Sequence, residues 1–388
     1  MNEDFKVTPW EAVGEIDYQR LVKEFGVSPV TEDLLVRFRK LYGKLPFELR
    51  RGLFYAHRDF DKILSLLEQG EKIYLYTGRG PSGPMHIGHL FPFIFTKKLQ
   101  DIFKTLLIIQ LTSDEKFLYH HTLNREKVLS YTYDNIKDIL ALGFKKDNTI
   151  IIDDIMDIHF LYQIALSVAK RVTFSTARAV FGFSPETNIG MIFFMSIQAT
   201  PAFLGYFIDE RYKGCLIPAA IDQDPYWRVT RDVATKIRLP KPAQIHGKLV
   251  PGLKKGMKMS ASVPESAIYL NDSPSDVKRK IWNALTGGQP TVELQKKYGG
   301  DPDQCVVFAY FKYLFEPSEE KLKKRYEDCK SGRLTCGECK RELIERINKF
   351  LGSHQEKKEK IDDSEVQEYL LHNRFDYKEL MDKYRALR

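Results

Sequence analysis

Two histidines three residues apart, His86 and His89, close a run rich in glycine and proline: Pro81-Ser82-Gly83-Pro84-Met85-His86-Ile87-Gly88-His89. A turn of this kind lets backbone N–H groups come close to phosphate oxygens. Residues three apart share a face of a helix's first turn, so both imidazoles can donate hydrogen bonds where negative charge builds on phosphate. Gly88 keeps a side chain out of the way of a base or ribose. Far downstream, Lys258-Met259-Ser260-Ala261-Ser262 follows Gly252 and Lys254-Lys255-Gly256. A cationic, hydroxyl-bearing loop suits transient stabilisation of a leaving pyrophosphate. By itself such a loop reads as a solvated lysine-rich turn, and the histidines alone could simply open a surface helix. Together they outline a phosphate-handling site with His86, His89, Lys258 and Ser260 as catalytic candidates.

The surrounding elements must bring these pieces together. Residues 73–76 read as a short aromatic and aliphatic strand, 77–85 as a loop, and a helix runs from near His86 to Phe103. Residues 106–111 are continuously apolar, as in a parallel strand buried on both faces. A helical stretch follows over 125–142, then a strand over 150–152 ending in Asp153-Asp154, and another over 215–218 ending before Asp222. This alternation implies an α/β fold: a Rossmann-type, doubly wound parallel-sheet catalytic domain over 71–262. Ligands of such sheets bind beyond the carboxyl ends of the strands, where Gly78, Gln110 and Asp222 fall. Asp222 can touch a ribose or order the pocket, or it can cap the helix that begins near Pro225. Residues 1–70 contain helical segments over 16–25, 31–42 and 59–69 and are expected to pack on the catalytic domain as an N-terminal extension. From 263 to 388 helical signals dominate, over 275–285, 305–315, 318–329, 337–352 and 364–371, giving an α-helical C-terminal domain. Ser275 is the expected cap of the first of these. Its Lys278-Arg279-Lys280 is either a phosphate-contacting patch or a solvated face.

Bulk properties narrow the class. A chain of 388 residues exceeds one compact core, and 43% apolar with 29% charged residues is ordinary for a globular protein. The net charge of +8 favours polyanionic partners. Five cysteines at irregular spacing do not form a disulfide framework, which points to a reducing compartment. Cys336 and Cys339 make a C-x-x-C, but a structural zinc site needs a second pair or added histidines. They read as incidental helical cysteines, metal binding being the alternative, and no metal ligand set is expected. The acidic start Met1-Asn2-Glu3-Asp4 has no signal or transit character. No run is expected to reach the ~18 apolar residues that span a bilayer; the longest, over 191–197, stops at Gln198. A cytoplasmic protein with no membrane partner is expected.

His-x-Gly-His followed by Lys-Met-Ser-x-Ser resembles the paired signatures of class I aminoacyl-tRNA synthetases. The context is closer still: Tyr74-Leu75-Tyr76-Thr77-Gly78-Arg79-Gly80-Pro81-Ser82, Phe93-Ile94-Phe95-Thr96-Lys97, Ala220-Ile221-Asp222-Gln223-Asp224-Pro225, and the segment from Pro9-Trp10 through Ile16-Asp17-Tyr18. These resemble the tryptophanyl-tRNA synthetases of eukaryotic and archaeal type over nearly the whole chain. The resemblance implies ATP-dependent activation of L-tryptophan and its transfer to the 3′ end of tRNA(Trp). It implies an ATP site at Thr77, Gly78, Arg79, Gly80, His86, Gly88, His89, Asp222, Lys258, Met259 and Ser260, with Mg²⁺ carried by ATP. It assigns Tyr76 and Gln110 to the indole nitrogen, Glu115 to the substrate ammonium, and Gln198 and Gln223 to its amino acid end. It further implies a homodimer and an anticodon-reading C-terminal domain. The apolar segment 189–195 is either part of a subunit interface or a core helix. One departure from the generic motif matters: Ala261 replaces a second lysine, and Lys116, Arg79, Lys254 or Lys255 are candidates to compensate. No appended N-terminal RNA-binding hairpin is expected.

Chemistry supports the substrate. Indole offers a single N–H donor on a broad apolar body, and selectivity follows when a buried acceptor is left unpaired without it. A phenol pocket would favour a carboxylate at the ring end, whereas Gln110 stands at this strand end. The rivals are a tyrosine-specific relative, a nucleotidyltransferase that acts without RNA, and a non-catalytic RNA-binding relative. The basic helical C-terminal region argues against the second, and intact His86, His89 and Lys258 against the third.

Overall fold

The computed structural model describes residues 6–7, 12–13, 16–254, 258–259 and 263–386. Ser260, Ala261, Ser262, Lys255 and the Pro9-Trp10 pair lie outside them. β1 (Lys6–Val7) and β2 (Ala12–Val13) form a small antiparallel ribbon. β3 (Ser28–Pro29), β4 (Phe54–Arg58), β5 (Lys72–Arg79), β6 (Leu107–Leu111), β7 (Thr149–Asp153), β8 (Tyr212–Ala220) and β9 (Ala243–Gly247) make one seven-stranded sheet in the order β3-β4-β9-β8-β5-β6-β7. β5 to β9 are mutually parallel, while β3 and β4 are antiparallel additions at one edge. From β5 the chain winds outward through β6 and β7, then crosses to β8 and β9 on the other side. The direction reverses between β5 and β8, and a crevice at that switch point is where doubly wound sheets bind ligands.

The two-residue period of the strands sorts their side chains into two cores. Ile73, Leu75, Leu107, Ile109, Leu111, Ile151 and Leu216 face one core, together with Leu90 and Phe91 of helix Ile87–Phe103. Tyr74, Tyr76, Ile108, Ile150, Ile152, Cys215 and Ile217 face the other, against helices Ile158–Ala169, Pro201–Ile208 and Asp224–Ala234. This gives the expected α/β architecture its physical basis: continuous apolar runs are needed because both faces are covered.

Several sequence boundaries move. The first 70 residues do more than pack on the sheet, since β3 and β4 extend it. β9 escapes pattern reading because Gln244 and His246 interrupt it, yet all five residues are buried. Gln244 donates to Pro242 O at 2.8 Å, and His246 Nε2 stands 3.3 Å from Asp224. The helix expected from Ser275 begins at Pro274 and is capped by Ser273, which accepts from Asp276 N. Its basic triplet is largely committed within the chain. Lys280 is buried against Asp272 at 2.6 Å, and Arg279 pairs with Glu265 and Asp276, leaving Lys278 exposed.

The helical C-terminal part is tied to the sheet at both ends. Leu343 and Ile347 of helix Cys336–Glu359 share a core with Ile136 and Ile139 of helix Arg125–Leu140. His354 meets Asp138 at 3.0 Å. Beyond it, Ile151 N donates to Tyr369 O at 2.8 Å and Leu370 bridges alongside β7, which covers that open edge. Helix Tyr377–Ala386 then buries Leu380, Met381 and Tyr384 on the opposite face. One expectation needs correcting: residues Ile189–Ile208 are long and apolar enough to cross a membrane by length and composition. They are helices Ile189–Gln198 and Pro201–Ile208 of the core, 83% buried in the apolar window.

Candidate active site

The carboxyl ends of β5 and β8 border a cavity of about 290 Å³. Every described residue of the expected nucleotide set lines it: Thr77, Gly78, Arg79, Gly80, His86, Gly88, His89, Asp222, Lys258 and Met259. Glu115, Gln198 and Gln223 line it too. β5 ends at Arg79, and the loop after it turns the chain into helix Ile87–Phe103.

That helix starts with an unusual cap. His86 is the N-cap and His89 the third helical residue. His86 Nδ1 accepts from His89 N at 3.3 Å and His89 Nδ1 accepts from His86 N at 3.2 Å. The reciprocal bonds satisfy N–H groups that a helix start leaves orphaned, and they stack the rings 3.4 Å apart. Burial, with the charges of Arg79 and Lys258, pushes His86 down to about 3 and His89 well below its ordinary range. Both rings are therefore neutral at physiological pH. With Nδ1 accepting, each carries its hydrogen on Nε2, and His86 Nε2 is buried without a partner. An unpartnered buried donor in the cavity wall suits a phosphate oxygen.

Glycines set the shape. A Cβ on Gly88 would lie 3.0 Å from Met259 Sδ and 3.1 Å from His86 Nδ1. Gly88 thus lets the lysine loop and the imidazole close over the helix start, a tighter reason than the base or ribose clearance expected. A Cβ on Gly80 would lie 2.1 Å from Lys116 Cε.

Opposite the histidines, Lys258 Nζ is 3.6 Å from Asp222 Oδ2. Burial raises the Asp222 carboxyl against the pull of Lys258, and its Oδ1 has no partner. Asp222 does not cap the next helix, whose N-cap is Gln223 with no side-chain bond. Burial also brings Arg79 down to about 10 against the pull of Glu115, so it stays cationic. Among the described residues, Arg79, Lys116 and Lys258 are the cations lining the cavity.

Also lining the cavity, Glu115 is almost wholly buried. It accepts from Thr112 Oγ1 at 2.9 Å and from Lys116 Nζ at 2.6 Å. It therefore already holds one ammonium, that of Lys116. Gln223 opens onto the cavity beside Asp224, whose carboxylate is clamped by Arg58 at 2.7 and 2.8 Å. Burial alone would raise Asp224, but Arg58 and His246 outweigh it and hold it at about 2.

Tyr76 and Gln110 do not line this cavity. Both are fully buried one layer behind it. The Tyr76 hydroxyl bonds Gln110 Oε1 and lies 3.0 Å from Gln198 O, and Gln110 Nε2 donates to both Asp154 oxygens at 2.8 and 2.9 Å. The Asp154 contact aims the Gln110 carbonyl oxygen away from the carboxylate. The Tyr76 proton has two acceptors in reach. Turning it to Gln198 O frees Gln110 Oε1 for an incoming N–H. Asp154 and Asp114 form a buried pair: burial raises both, Asp114 raises Asp154 further, and the hydrogen bond between them offsets part of the rise at Asp114, so they share a proton. The sequence reading did not single out that pair, nor Phe194, Tyr226 and Trp227 in the wall. Trp227 lies edge-on to Tyr76, with ring centres 5.4 Å apart. An aromatic in an amphipathic helix reads as core, so no sequence signal separates a wall from a core there.

Comparison with known proteins bears on this geometry. The model of the family described as tRNA synthetases class I (W and Y) matches residues 68–352. A protein of Thermococcus kodakarensis named tryptophan–tRNA ligase is 52% identical over 359 residues, 92% of each chain. One of the same name from Pyrobaculum aerophilum is 47% identical, over 96% of this chain and 98% of its own. Among solved structures, tryptophanyl-tRNA synthetase from Giardia lamblia superposes with a TM-score of 0.85 at 40% identity, covering 91% of this chain and 96% of that one. The enzyme from Encephalitozoon cuniculi bound to tryptophan gives 0.85 at 37%, covering 94% and 99%.

Proposed function

We infer the activity from the premise that the chain belongs to the class I tRNA synthetases of the W and Y family. It is an aminoacyl-tRNA ligase, and the reaction we assign is the one its relatives' names state, attachment of tryptophan to its tRNA. The observation that carries the assignment is the meeting in one cavity of a neutral imidazole pair, Lys258 and the buried carboxylate Glu115.

In the first step a tryptophan carboxylate oxygen attacks the α-phosphorus of ATP. The bond to the bridging oxygen breaks and pyrophosphate leaves, giving tryptophanyl-adenylate. In the second, a hydroxyl of the terminal ribose of the RNA attacks the adenylate carbonyl, the bond to the phosphate oxygen breaks, and AMP leaves with the bonding pair and takes up the hydroxyl proton. No covalent enzyme intermediate is required, so the protein contributes positioning and charge stabilisation. His86 and His89 donate from Nε2 to phosphate oxygens, and Lys258 meets the charge that develops on the leaving group, with Ser260 beside it in sequence. Arg79 and Lys116, which line the same cavity, would supply the cation that the motif lacks at Ala261. Glu115 binds the substrate ammonium, Gln198 and Gln223 its polar end, and Tyr76 with Gln110 the indole N–H. Among the described residues no three His, Cys, Asp or Glu side chains close on a metal ion. Magnesium would arrive on the ATP phosphates, as part of the substrate.

The partners follow from the same reading. The helical C-terminal region reads the anticodon of tRNA(Trp), and the cytoplasm is where such an enzyme meets its RNA. A homodimer would cover the exposed apolar side chains Met156, Tyr162, Leu166 and Ile189, the last 84% exposed on a helix that otherwise faces the core. ATP–pyrophosphate exchange, run with one amino acid at a time, tests the assignment. Exchange with tryptophan alone is expected. Exchange with tyrosine, or with no amino acid, overturns it.

A further inference from the structure

His86 is gripped along its backbone by a segment that lies outside the catalytic cavity. It faces Tyr269 across an antiparallel bridge. On either side of that bridge, Ile87 N donates to Ile268 O at 2.9 Å and Leu270 N donates to Met85 O at 3.0 Å. The His86 and Tyr269 rings also meet edge-on, with centres 6.0 Å apart. His86 itself has extended backbone angles, φ −118° and ψ 164°, as the cap of its helix. The helix ladder therefore does not fix the backbone from which this imidazole leaves, and the bridge to residues 268–270 does so from outside. Ile268, Tyr269 and Leu270 do not line the cavity that holds His86 and Lys258.

That segment is held in turn by the helical C-terminal region. Tyr269 N donates to Asp272 Oδ2 at 2.9 Å, and Asp272 N donates to Tyr269 O at 3.2 Å, which closes a tight turn. Both oxygens of Asp272 accept from Lys280 Nζ, at 2.8 and 2.6 Å. Lys280 lies in the last turn of helix Pro274–Trp282, with its side chain only 5% exposed. Its ammonium also stands 4.9 Å from the centre of the Tyr269 ring. Gln355 of helix Cys336–Glu359 adds a bond from Nε2 to Leu270 O at 2.7 Å. A buried ion pair is weak support for stability, because desolvation offsets much of the attraction. What it adds over an apolar contact of equal volume is direction. An ammonium shared by two carboxylate oxygens and a ring face has one place to sit.

We propose that Asp272 and Lys280 are positioning residues of amino acid activation, which hold His86 in register through its bridge to Tyr269. The inference rests on the proposed function, in which His86 Nε2 donates to a phosphate oxygen. Neither Asp272 nor Lys280 lines the cavity, so both act on the reaction through His86. Without the Lys280 ammonium, Asp272 carries a buried charge with no counterion and is drawn toward water. The turn that pins Tyr269 then loosens, and the bridge to His86 with it. A reacting contact displaced by about 1 Å can lose about 10²-fold in rate.

The full-length wild type, Lys280→Met, His86→Gln and the double variant are compared by ATP–pyrophosphate exchange with tryptophan. Methionine keeps an unbranched side chain beside Tyr269 and removes the charge, and glutamine at position 86 keeps a donor. Lys280→Met should lower the rate at saturating substrates about 10- to 100-fold, with the KM for tryptophan within about twofold of wild type. In the His86→Gln background the same change should cost less than about twofold, because groups that act as a unit are not additive. Where Lys280→Met does not fold, Gln355→Leu releases Leu270 O without breaking an ion pair. It should show a smaller loss with the same dependence on His86. Equal losses in the two backgrounds, a rise in the tryptophan KM that matches the fall in rate, or unchanged turnover in the folded variant overturns the proposal. Wild-type protein that gives no exchange with tryptophan would instead overturn the proposed function itself, and this inference with it.

Discussion

Under the proposed function, replacing Gln110 by leucine should separate recognition of the indole from the other functions of the site. Gln110 is fully buried and makes its bonds with Tyr76 and with both oxygens of Asp154. Leucine keeps the bulk and removes the acceptor. In the variant a bound indole N–H is desolvated with nothing to receive it, a loss of about 1–3 kcal/mol or roughly 5- to 150-fold in the KM for tryptophan. The free enzyme is also destabilised by about 1–3 kcal/mol as Tyr76 and Asp154 lose a partner. That cost is limited because Asp154, already raised by burial and by Asp114, can take a proton and bond to its neighbour. The KM for ATP should change little, since the side-chain partners of Gln110 are Tyr76 and Asp154, neither of them in the nucleotide set. Exchange kinetics against each substrate at saturation of the other read this directly. A second substrate makes the test specific: the tryptophan analogue with sulfur in place of the indole N–H. Wild type should prefer tryptophan by about the same factor, and the variant should not distinguish the two. Equal rises in both KM values, or a preference that survives in Gln110→Leu, would refute the placement of Gln110 at the indole nitrogen.

Three other perturbations address the rest of the site. Lys258→Ala should lower the exchange rate by about 10²–10³-fold, the usual loss when a preorganised charge-stabilising group is removed, while tryptophan binding measured by calorimetry stays near wild type; unchanged turnover would assign the role to another cation. Lys116→Ala tests whether this side chain replaces the cation missing at Ala261. It should depress the rate at saturating ATP and, by freeing Glu115, leave tryptophan binding intact or tighter, and a variant that loses only tryptophan affinity would contradict it. The buried imidazoles predict acid sensitivity. The folded state holds His86 at about 3 against an ordinary 6.5, so between these values the unfolded chain binds more protons. Their contribution is full above about pH 6.5 and is lost as pH falls toward 3, by at most about 1.4 kcal/mol per pH unit per histidine. Urea midpoints from pH 7.5 to 4.5 should fall, and His86→Gln should flatten the slope; a slope identical to wild type would show that the ring is not held neutral.

Features made by neighbours in the chain were legible from sequence. The β5 strand, its glycine loop and the His86–His89 pair are contiguous, and helix geometry places both rings on one turn whatever surrounds them. The Lys258-Met259 motif is local too, and the apolar runs of β6 and β7 disclose burial on both faces because their length leaves no polar side. Features made by loop closure were not. Gln244 and His246 find Pro242 and Asp224 only in space, and Lys280, open from sequence to either a phosphate contact or a solvated face, is taken by Asp272. Cys305 and Cys329 lie too far from the C-x-x-C for spacing to show that all four border one small cavity. Tyr76 and Gln110 are candidates by resemblance, yet their depth behind the wall, and the Asp154 contact that aims Gln110, depend on which strands are adjacent. Hydrogen-bond geometry is satisfied within a few ångströms of space, not of chain. The sequence by itself therefore determined which chemical groups are present and which local turn presents them, and only the tertiary structure decided which groups find one another.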